Sequence, residues 1–431
     1  MLTMTRFVLR AAAAPALPSI VSLTLLAVFA AAQASHSLPQ AAPQAARPAQ
    51  PGLDAGKLKL IHVRLQELVD NQTIPGAVAL VARHGQVAYL DAVGLEDIEN
   101  HKPMRADSIF QIMSMTKPFT GVAIMMLVEE GKLELRRPVA DYLPSFANQQ
   151  VEEMQNDNRT LRKPTTPLAV WHLMCHTSGL NGDPEGELSD NPRTMRASLK
   201  DAVDYYGHQY LKFEPGTRWK YSNMGIATLG RIVEVLSGDD YVHFVQKRIL
   251  QPLGMTDTFF FAPDDKKSRI AMVYKHQDGK LVIAGNEILA GDPRKYRAGA
   301  KYPAPEFGLY STASDLAKFY AMLLNGGAAN GHRFLSPQSI ETMRQVFTPD
   351  VNPSGWLGGT GYGLTFEVVN RPTGTLLLHS MGTFGHGGAF GTEGWMDPKN
   401  DLIRIVMVQV SDGTGGPARA AVMQIGEAAL L

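Results

Sequence analysis

Four residues, Ser114-Met115-Thr116-Lys117, hold the first pattern able to do chemistry. Residues three apart on a helix share a face, so Ser114 and Lys117 would be neighbours. Pro118 lacks an N–H and is tolerated only near a helix start, which places that start close to Ser114. The serine then sits at the positive end of the helix dipole, where backbone N–H groups can receive an oxyanion. The lysine sits where a cation is unfavourable, and a charge placed against local rules marks a functional position. If burial favours its neutral amine, Lys117 can take the serine's proton and make Ser114 a nucleophile. The plainer reading is a helix-capping serine with a lysine reaching out to solvent, and the tetrad alone does not separate the two.

A second pattern is Phe213-Glu214-Pro215-Gly216-Thr217-Arg218-Trp219-Lys220-Tyr221-Ser222-Asn223, a turn signal running into a helix start. Tyr221 and Asn223, two apart in such a loop, can point into one cleft. With its pKa lowered beside Lys117, Tyr221 would act as general base and then general acid. Asn223 could hydrogen-bond Lys117 and the acyl side of a substrate. The plain alternative is a packed tyrosine and an N-cap asparagine. The third pattern is Phe384-Gly385-His386-Gly387-Gly388-Ala389-Phe390-Gly391. Glycines in a strand mark a close backbone approach, and the edge there could offer the Ala389 N–H as second oxyanion donor beside that of Ser114. A glycine-rich turn with an incidental histidine remains the alternative.

Together the three patterns resemble the serine β-lactamase and penicillin-binding-protein superfamily, in its class C-like branch with family VIII carboxylesterases, D,D-carboxypeptidases and D-aminopeptidases. Supporting stretches are Leu133-Glu134-Leu135, Pro138-Val139, Tyr142-Leu143-Pro144, His176-Thr177-Ser178-Gly179-Leu180, Pro252-Leu253-Gly254-Met255 and Ser311-Thr312-Ala313-Ser314-Asp315. The resemblance implies that Ser114 is acylated, Lys117 activates it and Tyr221 shuttles the proton. It implies no cofactor and no metal. One departure matters: the third motif usually reads Lys-Thr-Gly, and here it is His386-Gly387-Gly388. A histidine of ordinary pKa, ~6.5, is mostly neutral at pH 7 and glycine has no hydroxyl. Carboxylate recognition is therefore weakened, and esters suit the site better than β-lactams.

The elements that must position these residues are legible from periodicity. A helix is expected over 54–70, and a hairpin over 76–83 and 86–93 about His84-Gly85. A buried helix is expected from Ser114 to Glu130. Helical stretches at 168–175, 225–237 and 241–249 fill the middle, and 314–324 is helical. Strands are expected at 375–379, 388–396 and 402–410, with a final helix opened by Pro417. Strands at both ends and helices between give an α/β (α+β) fold. It is an antiparallel sheet flanked by helices, drawn from about 54–131 and 300–431, with an all-helical insertion at about 132–299.

The chain has 431 residues, with 41 basic and 41 acidic side chains, which argues against a nucleic-acid partner. Its single cysteine, Cys175, excludes an intrachain disulfide and a cysteine-built metal site. Arg6 and Arg10 precede an apolar run that ends in Ala32-Gln33-Ala34, so residues 1–34 read as a Sec-type signal peptide cleaved after Ala34. That implies a periplasmic or secreted protein with no stable membrane insertion; an uncleaved anchor over 11–34 is the alternative. Residues 35–53 read as an Ala/Pro-rich linker and 54–431 as the catalytic domain. Nothing in the sequence sets an oligomeric state.

Other patterns compete. Ser189-Asp190-Asn191 matches a second motif of class A β-lactamases but lies among Gly and Pro. His172 and His176 have metal-ligand spacing without a following glutamate. Glu393 could meet a substrate amine, although a strand glutamate more often faces solvent. Ser411 to Gly416 reads as an ordinary loop. No Gly-x-Ser-x-Gly elbow occurs. The expectation is an exported serine hydrolase acting on a small-molecule ester or amide through an acyl-enzyme, with a carboxylesterase first. A β-lactamase, D,D-carboxypeptidase or D-aminopeptidase comes second. A catalytically silent penicillin-recognising module represents a different class, disfavoured by the retained Ser114, Lys117 and Tyr221.

Overall fold

A computed structural model describes residues 52–155, 158–285, 292–294, 297, 299–348 and 355–431. The expected leader and nearly all of the expected linker lie outside these residues. Among the described residues no helix is long and apolar enough to cross a membrane.

Asp54 opens helix α1 (Ala55–Asp70), its carboxylate accepting from the Gly56 and Lys57 N–H groups. The stripe Leu58, Ile61 and Leu65 is buried against the sheet. Strand β1 (Gly76–Arg83) is joined to β2 (Gln86–Asp97) through His84 and Gly85. Both turn residues have positive φ, 52° and 68°, as the tightest hairpin turn requires. Strand β3 (Lys102–Pro103) borders β2. After helices α2 (Lys117–Glu129), α3 (Asn223–Ser237) and α4 (Ala313–Leu324) come β4 (Thr360–Tyr362), β5 (Glu367–Val369), β6 (Phe384–Gly387), β7 (Glu393–Asp397) and β8 (Leu402–Met407). Helix α5 (Gly416–Ala428) follows them.

The eight strands form one antiparallel sheet in the order β4-β5-β6-β7-β8-β1-β2-β3. The two ends of the domain thus meet in the β1–β8 ladder, for example Leu80 opposite Ile405. Alternation along β1 separates two cores. Ala77, Ala79 and Val81 pack with α1 and α5, whereas Val78, Leu80 and Ala82 face the core containing α2 and α4.

Three expectations are corrected. The 132–299 span is not all helical, because Val151–Gln155 pairs with Asn158–Arg162 and Tyr274–Gln277 with Lys280–Ile283. The second hairpin turns on Asp278 and Gly279, both at positive φ, the Asp-Gly signature of a two-residue turn. Residues 375–379 form no strand. A 3₁₀ turn over Gly374–Leu376 buries Leu376 and leaves Leu377 and Leu378 exposed. The 388–396 strand begins only at Glu393, because Gly388 to Thr392 close a turn through Gly388 N–H to Thr392 O, with Gly391 at φ 93°.

Candidate active site

Ser114 lies in a 3₁₀ turn, Met113–Thr116, that runs directly into α2. Met113 has φ 51°, a left-handed conformation that costs a side-chain-bearing residue roughly 1–2 kcal/mol. Such local strain persists where the surrounding packing over-determines the backbone. Here α2 is apolar around its whole circumference, Phe119 stacks on Phe319 with centroids 3.8 Å apart, and a Cβ on Gly121 would collide with Thr365. Lys117 is 0% exposed inside this packing. Its Nζ lies 3.1 Å from Ser114 Oγ, 2.9 Å from Asn223 Oδ1 and 2.8 Å from the Glu306 carbonyl oxygen. Burial pulls the ammonium down to about 7, against the carboxylates of Glu306 and Asp183, which pull it up. The amine is therefore available as a base near neutral pH.

Tyr221 reaches the same point from the loop before α3. Lys117 Nζ stands 4.6 Å from its ring centroid. Burial drives the phenol well above its ordinary pKa, and the Ser114 side chain only partly opposes this. The expected lowering beside Lys117 does not occur, because desolvation of the phenolate dominates and the Glu367, Glu306 and Asp183 carboxylates add to it. Tyr221 is a neutral hydrogen-bond donor. Ser222, not Asn223, caps α3 by accepting from the Gly225 N–H. Asn223 thereby keeps its amide free to bridge Lys117 and Asp183, the latter 3.0 Å from Nδ2. Nδ2 carries two N–H groups, so one remains for the acyl side of a substrate.

Strand β6 packs against the turn bearing Ser114. A Cβ on Gly388 would run into the Ile112 carbonyl oxygen and Thr392 Oγ1, the close backbone approach expected of this glycine. Ala389 follows in an exposed turn. His386 departs from expectation. It is 6% exposed, and both ring nitrogens are engaged: Nε2 lies 2.8 Å from Tyr362 Oη and Nδ1 2.6 Å from the Gly387 carbonyl oxygen. Burial, with Lys117 and Arg419 nearby, depresses its pKa to about 3, although the Gly387 bond raises it. His386 is not a free imidazole facing substrate, and it stays neutral at pH 6.

The proton positions follow from the neighbours. The Ser222 N–H donates to His176 Nδ1 at 3.1 Å, so neutral His176 carries its proton on Nε2, 3.2 Å from Tyr362 Oη. Tyr362 then donates to His386 Nε2, and His386 Nδ1–H donates to Gly387 O. His176, far below its ordinary pKa through burial, thus orients the third motif rather than holding a metal. His172 instead accepts the Ala169 N–H, and burial lowers it to about 4. Cys175 is buried and its thiol pushed up to about 12, the opposite of an activated nucleophile. Asn191 accepts the Ala197 N–H, and among the described residues Ser189-Asp190-Asn191 makes no bond to Ser114 or Lys117. Glu393, expected to face solvent, is buried in β7 and accepts the Trp395 indole N–H at 2.8 Å.

Sequence reasoning missed Asp183, Glu306, Tyr362, Trp356 and Arg419. Glu306 is 2% exposed, bonded to Tyr302 through Oε1 at 2.8 Å, and raised by burial to about 7. A lone glutamate in the apolar run Pro305-Glu306-Phe307 was its available signal.

A beta-lactamase family model matches residues 63–428. The chain belongs to the beta-lactamase family. Protein Rv1367c of Mycobacterium tuberculosis (strain ATCC 25618 / H37Rv) is 32% identical over 381 residues, 83% of this chain and 91% of that protein. Esterase EstB of Burkholderia gladioli is 29% identical over 399 residues, 86% and 95% of the two chains. The structure of the octameric penicillin-binding protein homologue from Pyrococcus abyssi superposes with a TM-score of 0.65 at 26% identity, covering 86% of this chain and 76% of that one. EstCE1, a hydrolase with promiscuous acyltransferase activity, shares the fold at a TM-score of 0.75 and 24% identity, covering 86% and 99%. The beta-lactamase family and the esterase relative together make this chain a serine hydrolase of the β-lactamase fold.

Proposed function

We propose that the chain is an exported carboxylesterase that works through an acyl-enzyme on Ser114. The observation that carries the reading is a buried amine of pKa about 7 at 3.1 Å from Ser114 Oγ. Neutral Lys117 takes the Ser114 proton as Oγ attacks the ester carbonyl carbon. The oxyanion is met by the N–H groups of Ser114 and Ala389; Ser114 lies in the first turn, where N–H groups have no helical acceptor. Collapse breaks the C–O bond, Tyr221 donates its proton to the leaving alkoxide, and the Lys117 ammonium reprotonates Tyr221. Water repeats the sequence to release the acid.

Esters are favoured over β-lactams because the third motif offers no free cation. His386 is neutral, and Gly387 has no hydroxyl. Arg419 is near Gly387, with Nε and Nη2 directed at the carbonyl oxygens of Gly388, Gly391 and Thr392 and Nε 3.9 Å from the Glu393 carboxylate. The similarity to Esterase EstB supports the same choice. The test compares p-nitrophenyl acetate and butyrate, a chromogenic cephalosporin and a D-alanine p-nitroanilide. Ester turnover that exceeds the others by 100-fold in kcat/KM is expected; a faster cephalosporin or anilide reaction overturns the reading. For export, the mature protein recovered from periplasm or medium should begin at Ser35, and retention in the cytoplasm with Met1 intact refutes it.

A further inference from the structure

The Tyr221 side of the site is walled by aromatic rings. Trp219 and His176 lie 6.4 and 4.4 Å from the Tyr221 ring centroid, and Trp356 lies 5.3 Å away at 64°. Trp356 differs from the other two in being 67% exposed. A large indole left in water forgoes burial, one of the largest stabilising contributions a side chain can make. The fold also holds it there. Glu367, buried in β5, accepts the Leu357 N–H at 2.6 Å and has Thr360 Oγ1 at 2.6 Å, so one carboxyl pins the chain on the C-terminal side of Trp356. Leu357 itself packs into the core behind the sheet, and the Thr360 side chain bonds back to the Leu357 carbonyl oxygen at 2.7 Å. An exposed aromatic ring set against a proton-donating phenol, on backbone pinned by buried polar contacts, is a surface prepared for a ligand.

The reaction's geometry decides which part of a substrate meets it. The group that Tyr221 protonates must come within hydrogen-bond reach, about 3 Å, of its oxygen. That group is the departing alcohol, whereas the acyl oxygen is drawn to the backbone donors of Ser114 and Ala389. The carbon skeleton of the alcohol therefore extends along the Tyr221–Trp356 wall. Ring pairs attract edge-on or offset at centroid separations of about 4.5–7 Å, so a flat apolar group there stacks on the exposed indole face.

We propose that Trp356 is the specificity-determining residue for the alcohol half of the substrate, and that the preferred substrates are esters of aromatic or flat apolar alcohols. This rests on the esterase reading above. The alcohol side is selective, and the acyl side is set away from Trp356.

The experiment compares benzyl acetate with ethyl acetate, and benzyl acetate with benzyl butyrate, on wild type, Trp356→Phe and Trp356→Ala. Trp356→Ala should lower kcat/KM for benzyl acetate at least tenfold more than for ethyl acetate. The benzyl acetate to benzyl butyrate ratio should not move, and Trp356→Phe should restore most of the benzyl preference. Equal losses on benzyl and ethyl acetate, or a change that follows the acyl chain, overturn the proposal. A second arm reads the subsite without turnover, by saturable quenching of tryptophan fluorescence with 4-nitrobenzyl alcohol. If wild type hydrolyses no ester, the esterase reading fails. The subsite then stands on saturable quenching that Trp356→Ala abolishes, and falls if wild type shows none.

Discussion

Lys117 and Glu306 are held together twice. The ammonium bonds the Glu306 carbonyl oxygen at 2.8 Å, and the buried Glu306 carboxyl acts on the same amine through space. Burial drives each toward its neutral form, the lysine down and the carboxyl up, both to about 7. Their mutual attraction works against both shifts.

The first prediction is the pH profile. The base form of Lys117 is the neutral amine, so kcat/KM for a neutral ester rises through about pH 7 and levels above it. Because Glu306 titrates over the same range, the limb belongs to the pair. Glu306→Gln removes the carboxylate that favours the ammonium, and the limb should move to lower pH by ~0.5 unit or more. The profile is read from pH 5 to 9. A limb that stays in place, or moves up, shows that the carboxyl does not reach Lys117.

Nucleophile and proton donor separate by magnitude. Ser114→Ala should lose on the order of 10⁴-fold in kcat or more with the fold unchanged. Tyr221→Phe should lose at least ~10²-fold, the usual size of a general acid–base contribution. Its ring still packs against His176 and Trp356, so the melting temperature should change little. A Tyr221→Phe protein with a clearly lowered melting temperature and near-normal turnover would leave the tyrosine a packing residue.

Much of this was legible in the chain because it is local. Ser114 and Lys117 are one helical turn apart, the Ser222-Asn223 helix start lies within a few residues, and Gly388 signalled by its residue type an approach whose partner, Ile112, is distant in sequence. That one sheet is completed by both ends of the domain followed from strands at both ends; the strand order did not. What the sequence hid is long-range. The path from His176 through Tyr362 to His386 joins three segments, so neither the depressed pKa of His386 nor its lack of a free nitrogen could be read from His-Gly-Gly. The same holds for Tyr221, whose pKa is set by how completely distant segments exclude water. Residues 375–379 alternate too weakly for periodicity to distinguish a strand from a 3₁₀ turn.

That hidden path gives the third prediction. With its pKa near 3, His386 does not charge between pH 5.5 and 8, so the ratio of kcat/KM for a neutral ester and its ω-carboxylate analogue should be flat over that range apart from titration of the substrate. His386→Lys would place an ammonium against Tyr362 with no carboxylate partner. It should destabilise the protein by ~3 kcal/mol or more rather than create a carboxylate site. Thermal melts and the same substrate pair check both. A stable lysine variant with improved carboxylate-ester turnover contradicts the geometry.

The last prediction concerns Arg419, which stands in the first turn of α5, where the helix dipole disfavours a cation. Its guanidinium donates to the carbonyl oxygens of Gly388 and, at 3.2 Å, Thr392, while Nε reaches Gly391 O at 3.3 Å. These three carbonyls frame the turn that carries Ala389. An N–H points opposite to the carbonyl of its own peptide unit, and the Ala389 N–H shares a peptide unit with the Gly388 carbonyl. Fixing that oxygen therefore fixes the direction of the proposed oxyanion donor. Removing one such donor outright typically costs ~10²–10³ in kcat, so a donor left to wander should cost ~10-fold or more. Arg419→Ala is accordingly expected to lower kcat with KM within about threefold, and Arg419→Lys to recover part of it by reaching one carbonyl. Phenylboronic acid, whose tetrahedral adduct on Ser114 presents an oxygen to the same donors, should bind Arg419→Ala about tenfold more weakly as well. A purely structural arginine would lower the melting temperature and leave kcat and boronate affinity where they were. That outcome would mean the turn holds Ala389 without help from α5.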